Sequence, residues 1–346
     1  MLTRLLLTSH TQTDVHLELE DALRRYCGAE DCIIYSYDVV TPASAVPAFA
    51  KRGDLLVVDD GCCYSLQLGV TLSRSEVRFF KHNDMGDLRR VLEEVKAEDR
   101  AANTRTPLNR RFIIVEGLFT NHGDCAPLAQ LVALKKEFHF RLWVDESVAF
   151  GSLPGPTGRG ALETAGVPPS DVDVVTSSMG NSLGSCGGFC YGSSQVINHQ
   201  RLNASGYCFS ASLPPYLAAG ALVALRLLGE QPELREKLGR NAAVLRAGLE
   251  SVPGIQVPAG EAHCPIIHLR LADTGLPAGE QEPVLQRVCD RCLAKHRVLL
   301  TTAKYASVDR LKPAPSIRIV VSAAHSEADM AAAVKALTAS IAAEVQ

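Results

Sequence analysis

The residues best suited to chemistry in this chain lie in one stretch between positions 174 and 192. An apolar pair at 174 and 175 is followed by three hydroxyl residues at 176–178 (TSS), and glycines stand at 180, 184, 187, 188 and 192. Hydroxyls donate hydrogen bonds, and glycines let main-chain N–H groups approach a ligand closely. The stretch is therefore typical of a backbone shaped around a phosphorylated ligand.

The same stretch resembles the cofactor-lysine segment of the α-oxoamine synthases, a family of pyridoxal-phosphate (PLP) dependent transferases that join an amino acid to an acyl-CoA. In that family a lysine between the hydroxyls and the glycines holds PLP, and the resemblance puts Asn181 at this position. An asparagine nitrogen is delocalised into the carbonyl and cannot attack an aldehyde. We therefore expect no catalytic residue in this chain.

Further stretches extend the resemblance to one branch of the family, the lysine-lacking subunits of eukaryotic serine palmitoyltransferases. The most specific are residues 14–20 (DVHLELE), 80–84 (FKHND), 111–117 (RFIIVEG), 187–192 (GGFCYG), 198–202 (NHQRL) and 206–215 (GYCFSASLPP). The resemblance implies a heterodimer with a lysine-bearing catalytic subunit, whose lysine holds PLP covalently. Such a complex condenses L-serine with palmitoyl-CoA to 3-ketodihydrosphingosine, in the first step of sphingolipid synthesis.

The resemblance also assigns the other positions of the cofactor site. Asp145, after the apolar run LWV, matches the carboxylate that pairs with the pyridine nitrogen, although a strand-end aspartate can also cap the next turn. Cys63 stands where catalytic members have a histidine stacked on the ring, and a thiol offers no π-face. Val148 replaces a second histidine of the family. The ring platform is therefore expected to be missing.

Phosphate-binding positions are only partly kept. Asp38 and Val39 replace a Gly-Phe pair of the family, and a carboxylate there would repel a phosphate dianion. Ser178 remains as a hydroxyl donor. The expectation is an altered phosphate site that cannot hold PLP independently.

Residues 206–215 match a family motif that reaches across the dimer interface to the partner's phosphate. Ser210 and Ser212 are its remaining hydroxyls, and turn formation before the double proline is the alternative role. We expect Phe209 and Leu213 of this motif to face the partner.

Two alternatives remain open. One is a self-sufficient α-oxoamine synthase that uses another amine, such as Lys304. The other is a pseudoenzyme with a scaffolding or regulatory role outside this complex. Spectroscopy would reveal the first, and co-purification the second.

Length and composition predict a globular chain with a large core, since 47% of its 346 residues are hydrophobic and 21% are charged. A net charge of −3 without a basic stripe excludes a typical nucleic-acid partner. The eleven scattered cysteines indicate reduced thiols facing the cytosol.

No apolar run reaches the roughly 18–20 residues that span a bilayer. The resembling subunits carry an N-terminal membrane helix, so we expect the cytosolic face of the endoplasmic reticulum membrane, with attachment through a missing N-terminus or the partner.

The fold is predicted to be α/β. Ligands of such folds bind beyond the carboxyl ends of the strands, where Asp59, Glu116, Asp145 and Asn181 would fall. The resemblance implies the aspartate-aminotransferase type I fold, with a large domain at 1–229 and a small C-terminal α/β domain at 230–346. Short apolar runs alternate with helix patterns and indicate a mostly parallel sheet covered on both faces; they lie at 32–35, 55–58, 77–80, 112–115, 142–144 and 172–175.

Several local features carry weaker predictions. Asp14 is expected to be the N-cap of a helix that ends near Gly28. His82 and His122 are interpreted as hydrogen-bonded loop histidines, and Cys186 and Cys190 as small core residues. A second cysteine pair at 289 and 292 has the spacing of a metal site but no matching pair, so no metal is expected.

Overall fold

A computed structural model describes residues 12–102, 109–272 and 275–345 of the chain. Its larger sheet has seven strands, β1 (Asp31–Tyr35), β2 (Leu55–Asp59), β3 (Glu76–Phe80), β4 (Arg111–Glu116), β5 (Arg141–Asp145), β6 (Val174–Ser178) and β7 (Gly188–Gly192). Their spatial order is β1-β7-β6-β5-β4-β2-β3. The five strands from β6 to β3 run parallel, whereas β7 is antiparallel to both neighbours. The predicted mostly parallel sheet is therefore confirmed.

Helices cover this sheet on both faces, since every residue of β2 and β6 is buried. They are α1 (Asp14–Cys27), α2 (Val40–Phe49), α3 (Tyr64–Ser73), α4 (Met85–Ala101), α5 (Leu128–Phe138), α6 (Ala161–Thr164), α7 (Ser194–Asn203), α8 (Ser205–Cys208) and α9 (Pro215–Glu230). Burial on both sides explains why the first four residues of β2 are all apolar rather than alternating, whereas β6 begins with two valines and ends in the hydroxyl residues 176–178.

The first helix begins one residue earlier than its sequence suggests. Thr13 is the N-cap of α1, and its backbone N–H donates to Nδ1 of His16 at 3.0 Å. Asp14 lies instead in the first turn, where a carboxylate interacts favourably with the helix dipole. The helix ends at Gly28, as expected, with φ at 66°.

A smaller antiparallel sheet follows in the C-terminal part. It comprises β8 (Ile255–Gln256), β9 (Ile266–Leu271), β10 (Thr301–Thr302) and β11 (Ile317–Val320), in the order β10-β11-β9-β8, with helices α10 (Pro232–Glu250), α11 (Ala278–His296) and α12 (Glu327–Glu344). A boundary at 229 would fall at the end of α9, and the division into two domains there stays a prediction. None of the helices in the described ranges is both long enough and apolar enough to cross a bilayer.

The second half of the glycine-rich stretch is a strand, β7, rather than a ligand loop. Gly187 has φ at 86°, and a Cβ on Gly188 would lie 2.6 Å from the carbonyl oxygen of Ser177. These two glycines are therefore required for close packing in the sheet. Cys190 is buried in β7 as expected, but Cys186 is exposed in the preceding turn, so its predicted core position is wrong.

Candidate functional site

A cleft of about 600 Å³ lies beyond the carboxyl ends of the larger sheet. Residues from the strand-end loops form one wall, and residues of α10 and the smaller sheet form the other. The lining includes Asp38, Cys63, Thr120, Ser147, Val148, Ser178, Asn181, Leu234, Arg235, Arg318 and Val320. This is the position that the strand pattern predicts for a ligand site.

Asn181 lies in the cleft three residues after β6. Its side-chain nitrogen donates to the carbonyl oxygen of Ser147 at 2.6 Å, which ties the loop after β6 to the loop after β5. An amide held in this way is a structural link and has no nucleophilic lone pair. The lining residues in the described part of the chain include no lysine, so the cleft offers no amine in its place.

Lys304 does not supply that amine. Its side chain is 69% exposed, pairs with Glu282, and is not among the residues that line the cleft. The alternative of a self-sufficient synthase based on Lys304 is therefore not supported by the geometry.

Asp145 is buried at the end of β5, beneath the cleft. Its Oδ2 accepts a hydrogen bond from the hydroxyl of Thr176 at 2.6 Å, and its Oδ1 accepts one from the backbone N–H of Ser147 at 3.0 Å. Burial raises the pKa of this carboxyl, while both hydrogen bonds act in the opposite direction. A carboxylate fixed in this way has the chemistry expected of a partner for a protonated ring nitrogen, and that role stays a prediction.

Glu116, at the end of β4, joins the loop after β2 to the loop after β4. Its Oε1 accepts the backbone N–H of Cys63 at 2.6 Å, and its Oε2 accepts the hydroxyl and N–H of Thr120 at 2.8 and 3.1 Å. Burial raises its pKa to about 8, with the charge of Asp145 as the second cause. The sequence predicts a strand end for Glu116 but does not reveal this bridging role.

Cys63 is the N-cap of α3 and lies in the cleft wall. Its Sγ is 3.2 Å from Oγ of Ser65, and burial raises the pKa of the thiol well above its usual value. The side chain is therefore a neutral thiol at physiological pH. It provides no flat surface for an aromatic ring.

The residues at the phosphate end of the cleft do not fit PLP. Oγ of Ser178 donates to Oδ2 of Asp38 at 3.3 Å, so a carboxylate already takes the hydroxyl donor. Together with the amide of Asn181 and the thiol of Cys63, this leaves Asp145, among the described residues expected to contact PLP in this chain's own cleft, as the one whose chemistry is intact. No reaction step is therefore assigned to PLP held by this chain.

Ser210 and Ser212 lie outside this cleft. They line a small cavity near α1, and the hydroxyl of Ser210 donates to the carbonyl oxygen of Gly206 at 2.5 Å. Phe209 is 65% exposed, and its position facing a partner stays a prediction. The expectation for Leu213 is wrong, because its side chain is buried within this chain.

A charged cluster that the sequence does not reveal connects the end of β2 with the loops after β3 and β4. Nδ1 of His82 lies 2.9 Å from Oδ1 of Asp59, and Nε2 lies 3.1 Å from the carboxylate of Asp124. Burial lowers the pKa of His82, but the two carboxylates outweigh it and raise the pKa to about 10.

The second histidine of this cluster has a different environment. His122 stacks on His82 with ring centroids 3.8 Å apart, and burial together with the neighbouring charge lowers its pKa to about 3. Nε2 of His122 has no hydrogen-bond partner among the described residues. The predicted role of a hydrogen-bonded loop histidine is therefore confirmed for the His82 ring, whereas His122 contributes by stacking.

Comparison with known proteins identifies the family. The family model "Aminotransferase class I and II" matches residues 7–337. Long chain base biosynthesis protein 1c of Oryza sativa subsp. japonica is 41% identical over 332 residues, which cover 95% of this chain and 67% of that protein. Serine palmitoyltransferase 1 of Dictyostelium discoideum is 41% identical over 315 residues, 89% of this chain and 64% of that protein. The chain thus spans about two thirds of the length of these relatives.

Solved structures of serine palmitoyltransferases superpose on nearly the whole of this chain. A serine palmitoyltransferase of Sphingomonas wittichii superposes with a TM-score of 0.84 at 27% identity, over 97% of this chain and 78% of that one. A structure described as SPT with PLP internal aldimine gives a TM-score of 0.84 at 25% identity over the same shares. The chain therefore belongs to the PLP-dependent aminotransferase class I and II family, in the group of long chain base biosynthesis proteins 1 and serine palmitoyltransferases 1.

Proposed function

We propose that this chain is the lysine-lacking subunit of a heterodimeric serine palmitoyltransferase. A lysine-bearing partner subunit holds PLP covalently, and the complex condenses L-serine with palmitoyl-CoA to 3-ketodihydrosphingosine, with release of CO₂ and CoA. The observation that supports this most directly is Asn181, an amide bonded to the carbonyl of Ser147 in the cleft of a PLP-dependent fold. A chain without an amine in this cleft needs a partner to supply the chemistry.

The contribution of this chain would be made through residues 206–215. Ser210 and Ser212 belong to this segment but do not line the chain's own cleft, which supports a role toward the partner's cofactor. Asp145 and Ser178 would shape this chain's side of the paired site. The proposed location is the cytosolic face of the endoplasmic reticulum membrane, with attachment supplied by the partner or by an N-terminal segment.

Co-expression with a lysine-bearing subunit from the same organism tests this proposal. With an affinity tag on this chain alone, we expect both subunits to co-purify and to form 3-ketodihydrosphingosine from L-serine and labelled palmitoyl-CoA. Each subunit alone should be inactive. A stable monomer that ignores the partner at micromolar concentration would refute the heterodimer and favour an independent pseudoenzyme.

Reduction with borohydride in the presence of PLP should leave no pyridoxyl group on the cleft residues of the isolated chain.

Asn181→Lys should allow covalent labelling at most weakly and should not create a synthase. The variant still has Cys63 in place of the ring platform and Asp38 in the phosphate site. Peptide mass spectrometry reads the labelling, and product formation reads the activity. Turnover by this variant without a partner, at a rate close to that of the complex, would show that those two losses do not matter.

A further inference from the structure

Asp38 lies in the turn between β1 and α2 and is exposed toward the cleft. Its backbone carbonyl accepts the N–H of Thr41 at 3.0 Å, at the start of α2. Its Oδ1 accepts the N–H of Val39 at 2.6 Å. The carboxylate therefore lies at the N-terminus of a ten-residue helix, where the helix dipole favours a negative charge.

A second element approaches the same carboxylate from the far side of the turn. Ser178, buried at the end of β6, donates its hydroxyl to Oδ2 of Asp38 at 3.3 Å. The hydroxyl oxygen in turn accepts the N–H of Gly180 at 2.9 Å. A serine hydroxyl has one proton, so its donation to Asp38 leaves none for another anion.

We propose that Asp38 is an internal anion that occupies the anion cradle of this cleft and excludes phosphorylated ligands from it. The cradle consists of the N–H of Val39, which is the N-cap of α2, and the hydroxyl of Ser178. All of these contacts lie within this chain, so the exclusion does not depend on the partner.

The negative charge of Asp38 excludes an external phosphate more strongly than the loss of the Ser178 hydroxyl as a donor would alone. Two negative charges a few ångströms apart repel each other, and the repulsion is stronger near a protein surface than in bulk water. The charge of Asp38 also reaches further into the site, since it contributes, after burial, to the raised pKa of Asp145. An external phosphate would have to displace Asp38 or bind beside it against this repulsion.

The experiment uses inorganic phosphate as the probe and the full chain together with any subunit that co-purifies, with PLP sites saturated beforehand. Asp38→Asn keeps the shape and removes the charge, and Asp38→Gly removes the side chain. Glu233→Gln is the matched control, because Glu233 is an exposed carboxylate beside the cleft-lining residues of α10. Equilibrium dialysis measures bound phosphate, and the melting temperature measures stability with and without phosphate.

We expect the wild type and Glu233→Gln to bind no additional phosphate at about 1 mM, a concentration that already detects weak sites. Both Asp38 variants should bind phosphate at least about tenfold more tightly than the wild type, and phosphate should raise their melting temperatures. Adding Ser178→Ala to Asp38→Asn should abolish the gain, which locates the bound ion.

Equal phosphate binding by the wild type and Asp38→Asn would overturn the proposal, as would a gain that survives Ser178→Ala. Should Asp38→Gly fail to fold, the comparison of wild type with Asp38→Asn still decides. Failure of the proposed function would appear separately, as the absence of a partner or of 3-ketodihydrosphingosine, and would leave the phosphate result unchanged.

Discussion

Replacing His82 with alanine should lower the free energy of unfolding by about 3–5 kcal/mol, the usual cost of removing one partner from a buried ion pair. The carboxylate of Asp59 is fully buried and would lose the bond from Nδ1 of His82. Among the described residues it would keep the bonds from the N–H groups of Gly61 and Asn83. Chemical denaturation monitored by circular dichroism measures the change. His296→Ala is the control, because His296 is exposed at the end of α11 and should cost less than about 0.5 kcal/mol.

A double-mutant cycle separates the charge effect from the loss of packing. Asp59→Asn removes the buried charge, so His82→Ala should cost clearly less in an Asp59→Asn background than in the wild type. Additive losses would mean that the two side chains do not interact energetically, and the ion-pair interpretation would be wrong.

The pH dependence of stability provides an independent check. The pKa of His82 rises from the usual 6.5 of an unfolded chain to about 10 in the folded chain, so the folded state binds the proton more tightly. The stabilisation is therefore complete below about pH 6.5 and is lost as pH rises through about 10. The wild type should lose up to about 1.4 kcal/mol per pH unit in this window from His82 alone, and His82→Ala should lack this slope.

The histidine cluster shows where sequence reasoning reaches its limit. FKHND is a specific stretch, and the sequence predicts that His82 is a hydrogen-bonded loop residue. Its two carboxylate partners lie 23 and 42 residues away along the chain. No local spacing indicates that they approach the same imidazole, because that contact depends on how the end of β2 and the loops after β3 and β4 pack together.

The fold can be predicted from the sequence more fully than the contacts within the site can. Continuous apolar runs indicate β2, β4 and β5, because strands buried on both faces need no polar alternation. The sequence does not predict β7, since its glycines favour a loop. Its strand form depends on pairing with β1 and β6 on either side, which is tertiary information.

The residue types alone predict which chemistry the site cannot perform. The contacts within the folded chain explain the physical cause. Asparagine at 181 excludes an imine with PLP on chemical grounds alone. The bond from Ser178 to Asp38 joins residues 140 positions apart, so the filled anion cradle can be recognised only in the folded chain. The bridging of Cys63 and Thr120 by Glu116 is a further contact of this kind.

Charge introduced at Phe209 should abolish both assembly and activity of the proposed complex. Phe209 is 65% exposed and Tyr216 is 74% exposed, on either side of the 210–215 segment. Oγ of Ser36 donates to the carbonyl oxygen of Ala211 at 2.5 Å, which brings the neighbouring Tyr37, 66% exposed, close to the same segment. Exposed aromatic residues on adjoining segments are the composition expected at the centre of an interface.

Phe209→Glu and Tyr216→Glu should each weaken the heterodimer Kd by at least about a hundredfold, because an aromatic anchor is lost and a charge is desolvated. Leu299→Glu is the matched control, since Leu299 is 73% exposed but precedes β10 in the smaller sheet. Leu213 is unsuitable for this test because its burial within the chain would confound unfolding with dissociation.

Analytical ultracentrifugation of the co-expressed subunits, with product formation measured on the same samples, distinguishes the outcomes. An obligate interface of this kind should bury on the order of 2,000 Å² or more, so loss of its aromatic centre should release a monomer with unchanged circular dichroism. Activity should fall in proportion to the complex that remains. If Phe209→Glu and Tyr216→Glu left assembly intact while Leu299→Glu disrupted it, the partner would dock on the smaller sheet. The role proposed for Ser210 and Ser212 would then have to be abandoned.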